Sequence, residues 1–354
     1  MVMLPSSVPE QHQNVAAMPV MAGPSAGGTQ GLSGKGVAIL GFGNQGRAHA
    51  QNLRDSGLSV IVGTRPGGSG SEEAARLGFK AKSIEQACLD ADLLVVALPD
   101  QVHGPVWETS IAPNLRPGKV AGFLHGFSVH FGQVRADPGV GVVMVAPKGP
   151  GKTLRDRFAA GQGIPGLLAV HQGGLDPAAT RAMALAWAVG IGCGRAAIVE
   201  TTFAAETETD LFGEQAVLCG GTLALVRGAF ETLVKAGYPA DLAYMECCQE
   251  LKQVVDLLFE RGPAGMRRAI SDTAEFGAFE TAERLLDDHL RQTLERMLAD
   301  VRSGAFARRF LEDARNGGHR MQAERRSAAV GSLEQAGEHV RNWMPWLSQD
   351  GSRP

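Results

Sequence analysis

Through the first two hundred residues, short apolar runs ended by glycine or polar clusters alternate with amphipathic stretches; beyond that point the pattern becomes helical and stays so. The apolar runs at 35–40, 58–62, 92–98, 119–124, 140–146 and 163–172 have the length of buried strands, with helical patterns at 47–56, 71–77, 84–88 and 177–190. Buried strands alternating with helices predict a largely parallel sheet covered on both faces. From residue 202 the helical stretches run 209–236, 240–260, 263–270, 273–303, 304–315 and 332–343. The expected fold class is α/β, with a doubly wound sheet over 31–201 and an all-α domain over 202–346. A chain of 354 residues is also longer than one hydrophobic core usually spans, so two domains are expected. Residues 1–30 are rich in Pro, Gly, Ser, Ala and Gln without periodicity. They predict a disordered extension, because such a segment buries too little apolar surface to offset its ordering entropy. Residues 347–354 read as a tail.

The first long strand runs straight into Gly41-Phe42-Gly43-Asn44-Gln45-Gly46. Between a strand and a helix this spacing predicts a Rossmann-type dinucleotide site. Gly41 allows the tight turn, Gly43 lets backbone approach a pyrophosphate, Gly46 allows close helix packing, and the helix N-terminus offers amides to the phosphates. About 20 residues further on, where an acid would hold the ribose of NAD, stands Arg65. With Ser69 and Ser71 it predicts a 2′-phosphate site and hence NADPH. Ligands of doubly wound sheets bind outside the carboxyl ends of the strands. That rule assigns Asp100, Gln101, Val102 and His103 to the nicotinamide side. His125, Lys148 and Gly151 also follow strands there, the first two as candidate reaction-centre groups and Gly151 beside the cofactor.

Asp210 and Glu214 are four apart, as are Glu246 and Glu250, so on helices each pair projects from one face. Like charges at that spacing destabilise an isolated helix by about 0.2–0.5 kcal/mol. Two such pairs among apolar neighbours call for a compensating cation; the alternative is two solvated acidic faces. Carboxylate ligands without Cys or His ligands beside them favour a hard ion, and few protein ligands favour Mg²⁺ over Ca²⁺. Cys219-Gly220-Gly221 offers small residues for close backbone approach within a buried helix.

A net charge of −3 provides no basic field for nucleic acid and no polybasic membrane signal, leaving small molecules and other subunits as partners. The five cysteines form no CxxC pair and read as buried free thiols of a reducing compartment. The first basic residue is Lys35 and no uninterrupted apolar run reaches a membrane-spanning length, so a cytoplasmic protein is expected.

Gly41 to Gly46, Leu98-Pro99-Asp100, His125-Gly126-Phe127, Val145-Ala146-Pro147-Lys148-Gly149-Pro150-Gly151, the long run from Glu206 to Gly221, Tyr244 to Lys252 and Ser271-Asp272-Thr273-Ala274-Glu275 together carry a family resemblance. The chain resembles class I (short-form) ketol-acid reductoisomerases, the acetohydroxy acid isomeroreductases of branched-chain amino acid synthesis, over nearly all of 31–346. The resemblance implies that Asp210, Glu214, Glu246 and Glu250 bind two Mg²⁺ ions, that Ser271 contacts the substrate, and that His125, Lys148 and Glu214 serve catalysis. It also implies a knotted helical domain in a homodimer or larger homo-oligomer, with an active site shared between subunits. The implied reaction is alkyl migration in 2-acetolactate or 2-aceto-2-hydroxybutanoate followed by NADPH reduction to the 2,3-dihydroxy acid. The chain departs from the usual pattern at Phe42, Asn44 and Arg47, at Gly68 and Gly70 where phosphate-binding serines are common, and at Lys152 and Gln249. Such departures also fit a diverged paralogue acting on another 2-keto-3-hydroxy acid, or one that only reduces a 2-keto acid.

Overall fold

Alternation of side chains across the strands builds the first unit. In a computed structural model that describes residues 18–348, the strands are β1 (Val20–Met21), β2 (Gly36–Leu40), β3 (Ser59–Gly63), β4 (Lys80–Lys82), β5 (Leu93–Val96), β6 (Val120–Phe123), β7 (Gly141–Pro147), β8 (Gly166–Gly173) and β9 (Ile198–Glu200). They form one sheet in the order β1-β9-β8-β7-β6-β5-β2-β3-β4. Across the sheet from β4 to β7 every pairing is parallel, β8 turns antiparallel against β7, and β9 returns parallel to β8. Val37, Ile39, Leu93, Val95, Val143 and Val145 enter the core on one face; Ala38, Leu40, Leu94, Val96, Val142 and Met144 enter that on the other. The chain winds outward both ways from β2, with β3 on one side and β5 on the other, so a crevice opens at the carboxyl ends of these strands.

The expectation of disorder over 1–30 is corrected for 18–30; residues 1–17 lie outside the described residues, as do 349–354 of the tail. Strand β1 pairs antiparallel with β9, Val20 opposite Val199, the Glu200 amide donates to the Pro19 carbonyl at 3.0 Å, and Ala26 is buried. A two-residue edge strand and one small buried side chain leave almost no trace in hydrophobic patterning. A chain starting at Gly31 is expected to be about 2 kcal/mol less stable than one starting at Met18, from the lost edge hydrogen bonds and Ala26 burial. Thermal melting should show it as a drop of about 4–8 °C in the first unit.

Trp187, on the helix Pro177–Gly190, is fully buried and donates its Nε1–H to His49 Nδ1 at 3.0 Å. Burial pushes the His49 imidazole down from 6.5 to about 3. Between those values the unfolded chain takes up a proton that the folded chain refuses, so stability falls with falling pH, by about 1.4 kcal/mol per unit. His49→Gln is expected to flatten this part of the stability profile between pH 6.5 and 5, measured by urea denaturation.

The chain divides between Thr209 and Asp210, inside the helix Phe203–Gly213, rather than at the expected 201/202. The second unit is all-helical: Gly220–Lys235, Ala240–Tyr244, Leu251–Arg267, Asp272–Leu285, Asp288–Arg302, Ala305–Arg315, His319–Ala329 and Ser332–Asn342. Its described core gathers Phe230, Ala243, Tyr244, Ala336 and Val340. The predicted helix 273–303 is broken at Leu286, where Asp287 caps the next helix by accepting from the Leu290 amide at 2.8 Å. The gap expected between the helices 240–260 and 263–270 is a kink at Gly262 (φ 67°), while a π-turn at Met245–Gln249 interrupts the first of them. The helix at His319–Ala329 carries no buried residue, so no apolar stripe announces it.

The continuous helical run Phe203–Lys235 contains an 18-residue window of mean hydropathy 1.5, long and apolar enough to span a membrane. The expectation concerns uninterrupted apolar runs, a stricter condition than a mean, and the helical run passes only the looser one. In the single chain its Val217, Leu218, Leu223 and Leu225 are exposed.

Candidate active site

Strand β2 ends at Gly41, whose φ of 97° only glycine adopts without strain. A Cβ there would lie 2.6 Å from the Ala97 carbonyl oxygen. The helix Asn44–Asp55 starts directly after, with Gly43 as its extended N-terminal flank, so its first amides point out of the loop. The crevice above has a volume of about 790 Å³. Gly41, Phe42, Gly43, Asn44, Gln45, Arg65, Ser69, Asp100, Val102, His103 and His125 all line it. Ser71, Gln101 and Gly151 are not among its lining residues. Ser71 lies in the first turn of the helix Ser69–Arg76, its amide bonded to the Gly68 carbonyl at 2.8 Å. Gly151 starts the helix Gly151–Ala159, so close to the glycine loop that a Cβ would fall 2.2 Å from the Asn44 carbonyl oxygen.

Two buried polar atoms of crevice-lining residues, Gln45 Oε1 and Thr64 Oγ1, have no partner among the described residues. A loop of unpaired amides with orphaned hydrogen-bonding groups suits a nucleotide cofactor. Thr64, directly after β3, is a lining residue that sequence reasoning passes over in favour of Arg65. His103 uses both ring nitrogens within the protein: Nε2–H donates to the Leu98 carbonyl at 2.8 Å and Nδ1 pairs with Ser128 Oγ at 2.5 Å. Burial lowers its pKa, outweighing the opposing Asp100 charge. The neutral ring therefore acts as a clasp between the β5 loop and the helix Phe127–His130.

The loops after β6 and β7 converge on Glu206, which is 1% exposed. His125 Nδ1 lies 2.9 Å from Glu206 Oε2, the Gly126 amide donates to Oε2 at 3.0 Å, and Lys148 Nζ donates to Oε1 at 3.0 Å. Burial works against the Glu206 charge, but the hydrogen bond and charge of His125, the Lys148 charge and the Gly126 amide outweigh it and hold the carboxyl below its ordinary range. Gly126 is obligatory here, since a Cβ would meet Thr207 Oγ1 at 2.3 Å. Sequence reasoning finds His125 and Lys148 but misses the carboxylate joining them, because one Glu within Glu206-Thr207-Glu208-Thr209 looks like part of a solvated face. A second buried pair, His130 Nε2 and Glu208 Oε1 at 3.5 Å, ties the same helix to Phe127–His130.

In the second unit, Asp210 and Glu214 stand one turn apart, and Glu214 opens a π-turn over Glu214–Leu218. Glu246, within the π-turn Met245–Gln249, and Glu250, directly after it, are both exposed. Among the described residues, the two pairs do not gather at one point of a single chain. Four hard carboxylate donors without cysteine or imidazole among them suit Mg²⁺. Ser271 caps the helix Asp272–Leu285, its Oγ accepting from the Ala274 amide at 3.2 Å, which leaves its hydroxyl proton for another acceptor.

Two family models match the chain: acetohydroxy acid isomeroreductase, NADPH-binding domain, over residues 31–197, and ketol-acid reductoisomerase, C-terminal domain, over 203–346. Among solved structures, an NADH-preferring ketol-acid reductoisomerase from an uncultured archean is 36% identical with a TM-score of 0.88, over 92% of this chain and 99% of that one. A semialdehyde dehydrogenase NAD-binding protein from Cupriavidus necator, solved with calcium and NAD, is 22% identical with a TM-score of 0.58, over 76% of this chain and 98% of that one. The second likeness shows the fold alone.

Proposed function

We propose, from the premise that the chain belongs to the ketol-acid reductoisomerase family, that it converts 2-acetolactate or 2-aceto-2-hydroxybutanoate to the 2,3-dihydroxy acid with Mg²⁺ and NADPH. The observation that carries this reading is the junction of His125 and Lys148 on buried Glu206, with carboxylate pairs of the expected types at 210/214 and 246/250.

Asp210, Glu214, Glu246 and Glu250 would hold two Mg²⁺ ions, whose Lewis acidity lowers the pKa of a chelated hydroxyl and stabilises charge on a ketone oxygen. Gly41–Gln45, Arg65 and Ser69 would hold NADPH, the hydride source. The Glu214 carboxylate takes the proton of the substrate's tertiary hydroxyl. An alkyl group then moves from that carbon to the ketone carbon, and Glu214 returns its proton to the oxygen on the latter, giving a 2-keto-3-hydroxy acid. Its new ketone takes hydride at carbon and a proton from water at oxygen. Glu206 keeps Lys148 and His125 oriented toward the substrate oxygens, and Ser271 offers its hydroxyl proton to the carboxylate.

The test follows nicotinamide oxidation by purified protein with Mg²⁺ and NADPH. Turnover of both 2-acetolactate and 3-hydroxy-3-methyl-2-oxobutanoate is expected. Turnover of the second alone would leave a reductase without migration, and turnover of neither would indicate a paralogue with another substrate.

Arg65 and Ser69 support NADPH as reductant, while the 36%-identical structure is of an NADH-preferring enzyme. Arg65→Ala is expected to raise the KM for NADPH about tenfold or more, the worth of a charge-assisted pair, with little change for NADH. An equal effect on both would remove the 2′-phosphate role. A second copy of the chain supports the remainder of the reading: the exposed apolar residues of 217–225 need cover. In the proposed knotted, interleaved dimer, Asp210 and Glu214 face the partner subunit's Glu246 and the partner subunit's Glu250. Sedimentation showing only monomer at micromolar concentration would sink that arrangement.

A further inference from the structure

The helix that begins at Phe203 does not run evenly to Lys235. Over Glu214–Leu218 it widens into a π-turn. The Cys219 amide donates to the Glu214 carbonyl, five residues back, at 2.9 Å, and Thr222 Oγ1 donates to the Val217 carbonyl at 2.5 Å. The additional residue crowds the turn's carbonyls against the next turn. A Cβ on Gly220 would lie 2.3 Å from the Gln215 carbonyl oxygen, and one on Gly221 would lie 1.9 Å from that of Ala216. Both are far inside contact distance, and the obstacle is backbone. At Gly213 and Gly228, in the even turns on either side, a Cβ would meet nothing within 4 Å beyond the helix's own adjoining backbone. Within the single chain the need for glycine thus belongs to the π-turn and not to the helix as a whole.

The second carboxylate pair shows the same association. Glu246 lies within the π-turn Met245–Gln249, which closes where the Glu250 amide donates to the Met245 carbonyl at 3.1 Å. Isolated π-turns are rare and concentrate at functional sites; among the described residues a further one, Trp107–Ile111, lies in the first unit, and the two of the second unit each open or close on a candidate metal ligand.

We propose that Gly220 and Gly221 are positioning residues for Glu214. They admit the π-turn whose first residue is Glu214, and the wider radius of that turn sets the direction of its carboxylate relative to Asp210, one turn earlier on the same helix. The inference rests on the metal role proposed for these two carboxylates. Alanine, a better helix former than glycine in an even turn, is excluded here because it would force the turn toward α geometry.

The test uses the full chain with Mn²⁺ as a paramagnetic probe of the divalent site, read by electron paramagnetic resonance, alongside the Tm of the metal-free protein. Gly221→Ala is expected to weaken Mn²⁺ binding at least tenfold and to lower the Tm, whereas Gly228→Ala leaves Mn²⁺ binding unchanged and does not lower the Tm. Combining Gly221→Ala with deletion of Ala216 returns the turn to even α geometry. The Tm should recover, while Mn²⁺ affinity should stay weak. This combined variant keeps the positioning role testable even where Gly221→Ala alone yields no soluble protein. Recovery of Mn²⁺ affinity by the deletion would overturn the positioning role, and so would a Tm that stays low or an equal effect of Gly228→Ala. Glu214→Gln serves as the reference: wild-type Mn²⁺ affinity in that variant would refute the metal reading, while the Tm comparison still decides whether the glycines serve the π-turn.

Discussion

Glu214→Gln is expected to lower turnover of 2-acetolactate about a thousandfold or more. The substitution keeps the size and helical preference of the side chain but removes both the charge that would hold a divalent ion and the base that would accept the hydroxyl proton. General-base catalysis alone is worth about 10²–10⁴ in rate, and the loss of one of a few carboxylate ligands adds to it. Binding of the nicotinamide cofactor should be unchanged, because the glycine loop and the crevice residues all belong to the first unit. Steady-state turnover and cofactor fluorescence titration together read the split. Retention of full turnover would remove Glu214 from the chemistry and, with it, the reason for pairing it with Asp210.

The second large effect is expected at Glu206. Gln in its place can still accept from the Gly126 amide, but it carries no charge to offset His125 and Lys148. Removing one member of a buried ion pair costs about 3–5 kcal/mol. The lower end applies, because Lys148 is 34% exposed and water absorbs part of its charge. Turnover should drop about a hundredfold as Lys148 loses its fixed direction, an effect of the size seen for misplaced catalytic groups. The pH dependence adds a distinct signature. A carboxyl held below its ordinary range stabilises the fold above that range, and the contribution is lost as pH falls through the lowered value. Glu206→Gln should therefore lose stability at neutral pH and show a shallower acid limb than the parent in denaturation midpoints taken from pH 7 down to 3. Parallel acid limbs would mean that Glu206 bears no special charge burden.

Strands such as 36–40 and 93–96 are legible in the sequence because each is a short apolar run with glycine or polar punctuation, and burial on both faces of a parallel sheet requires such runs. The glycine loop is legible because its geometry has one common solution. Other features give no local signal. The helix break at Leu286 falls between stretches of unbroken helical periodicity, whereas the kink at Gly262 lies in the gap expected between 240–260 and 263–270. A π-turn adds one residue to a turn, which a scan for amphipathic period reads as noise, so the π-turns at Glu214–Leu218 and Met245–Gln249 pass as plain helix. Cys219-Gly220-Gly221 stands out in the sequence, but for close packing rather than for its own carbonyls. The association of Glu206 with His125 and Lys148 depends on three loops brought together by sheet order, which no spacing along the chain encodes.

The pairing of β1 with β9 has a consequence for how the molecule is made. Val20 leaves the ribosome well before its partner Val199, which is synthesised only when almost all of the first unit already exists. At roughly 5–20 residues per second the wait is on the order of ten to forty seconds. The sheet therefore closes this outer edge late, with a strand made before all its others, and until then β9's place beside β8 has no neighbour on its far side. Any partner that engages residues 18–30 of the nascent chain during that interval would delay completion of the edge without touching the cofactor crevice.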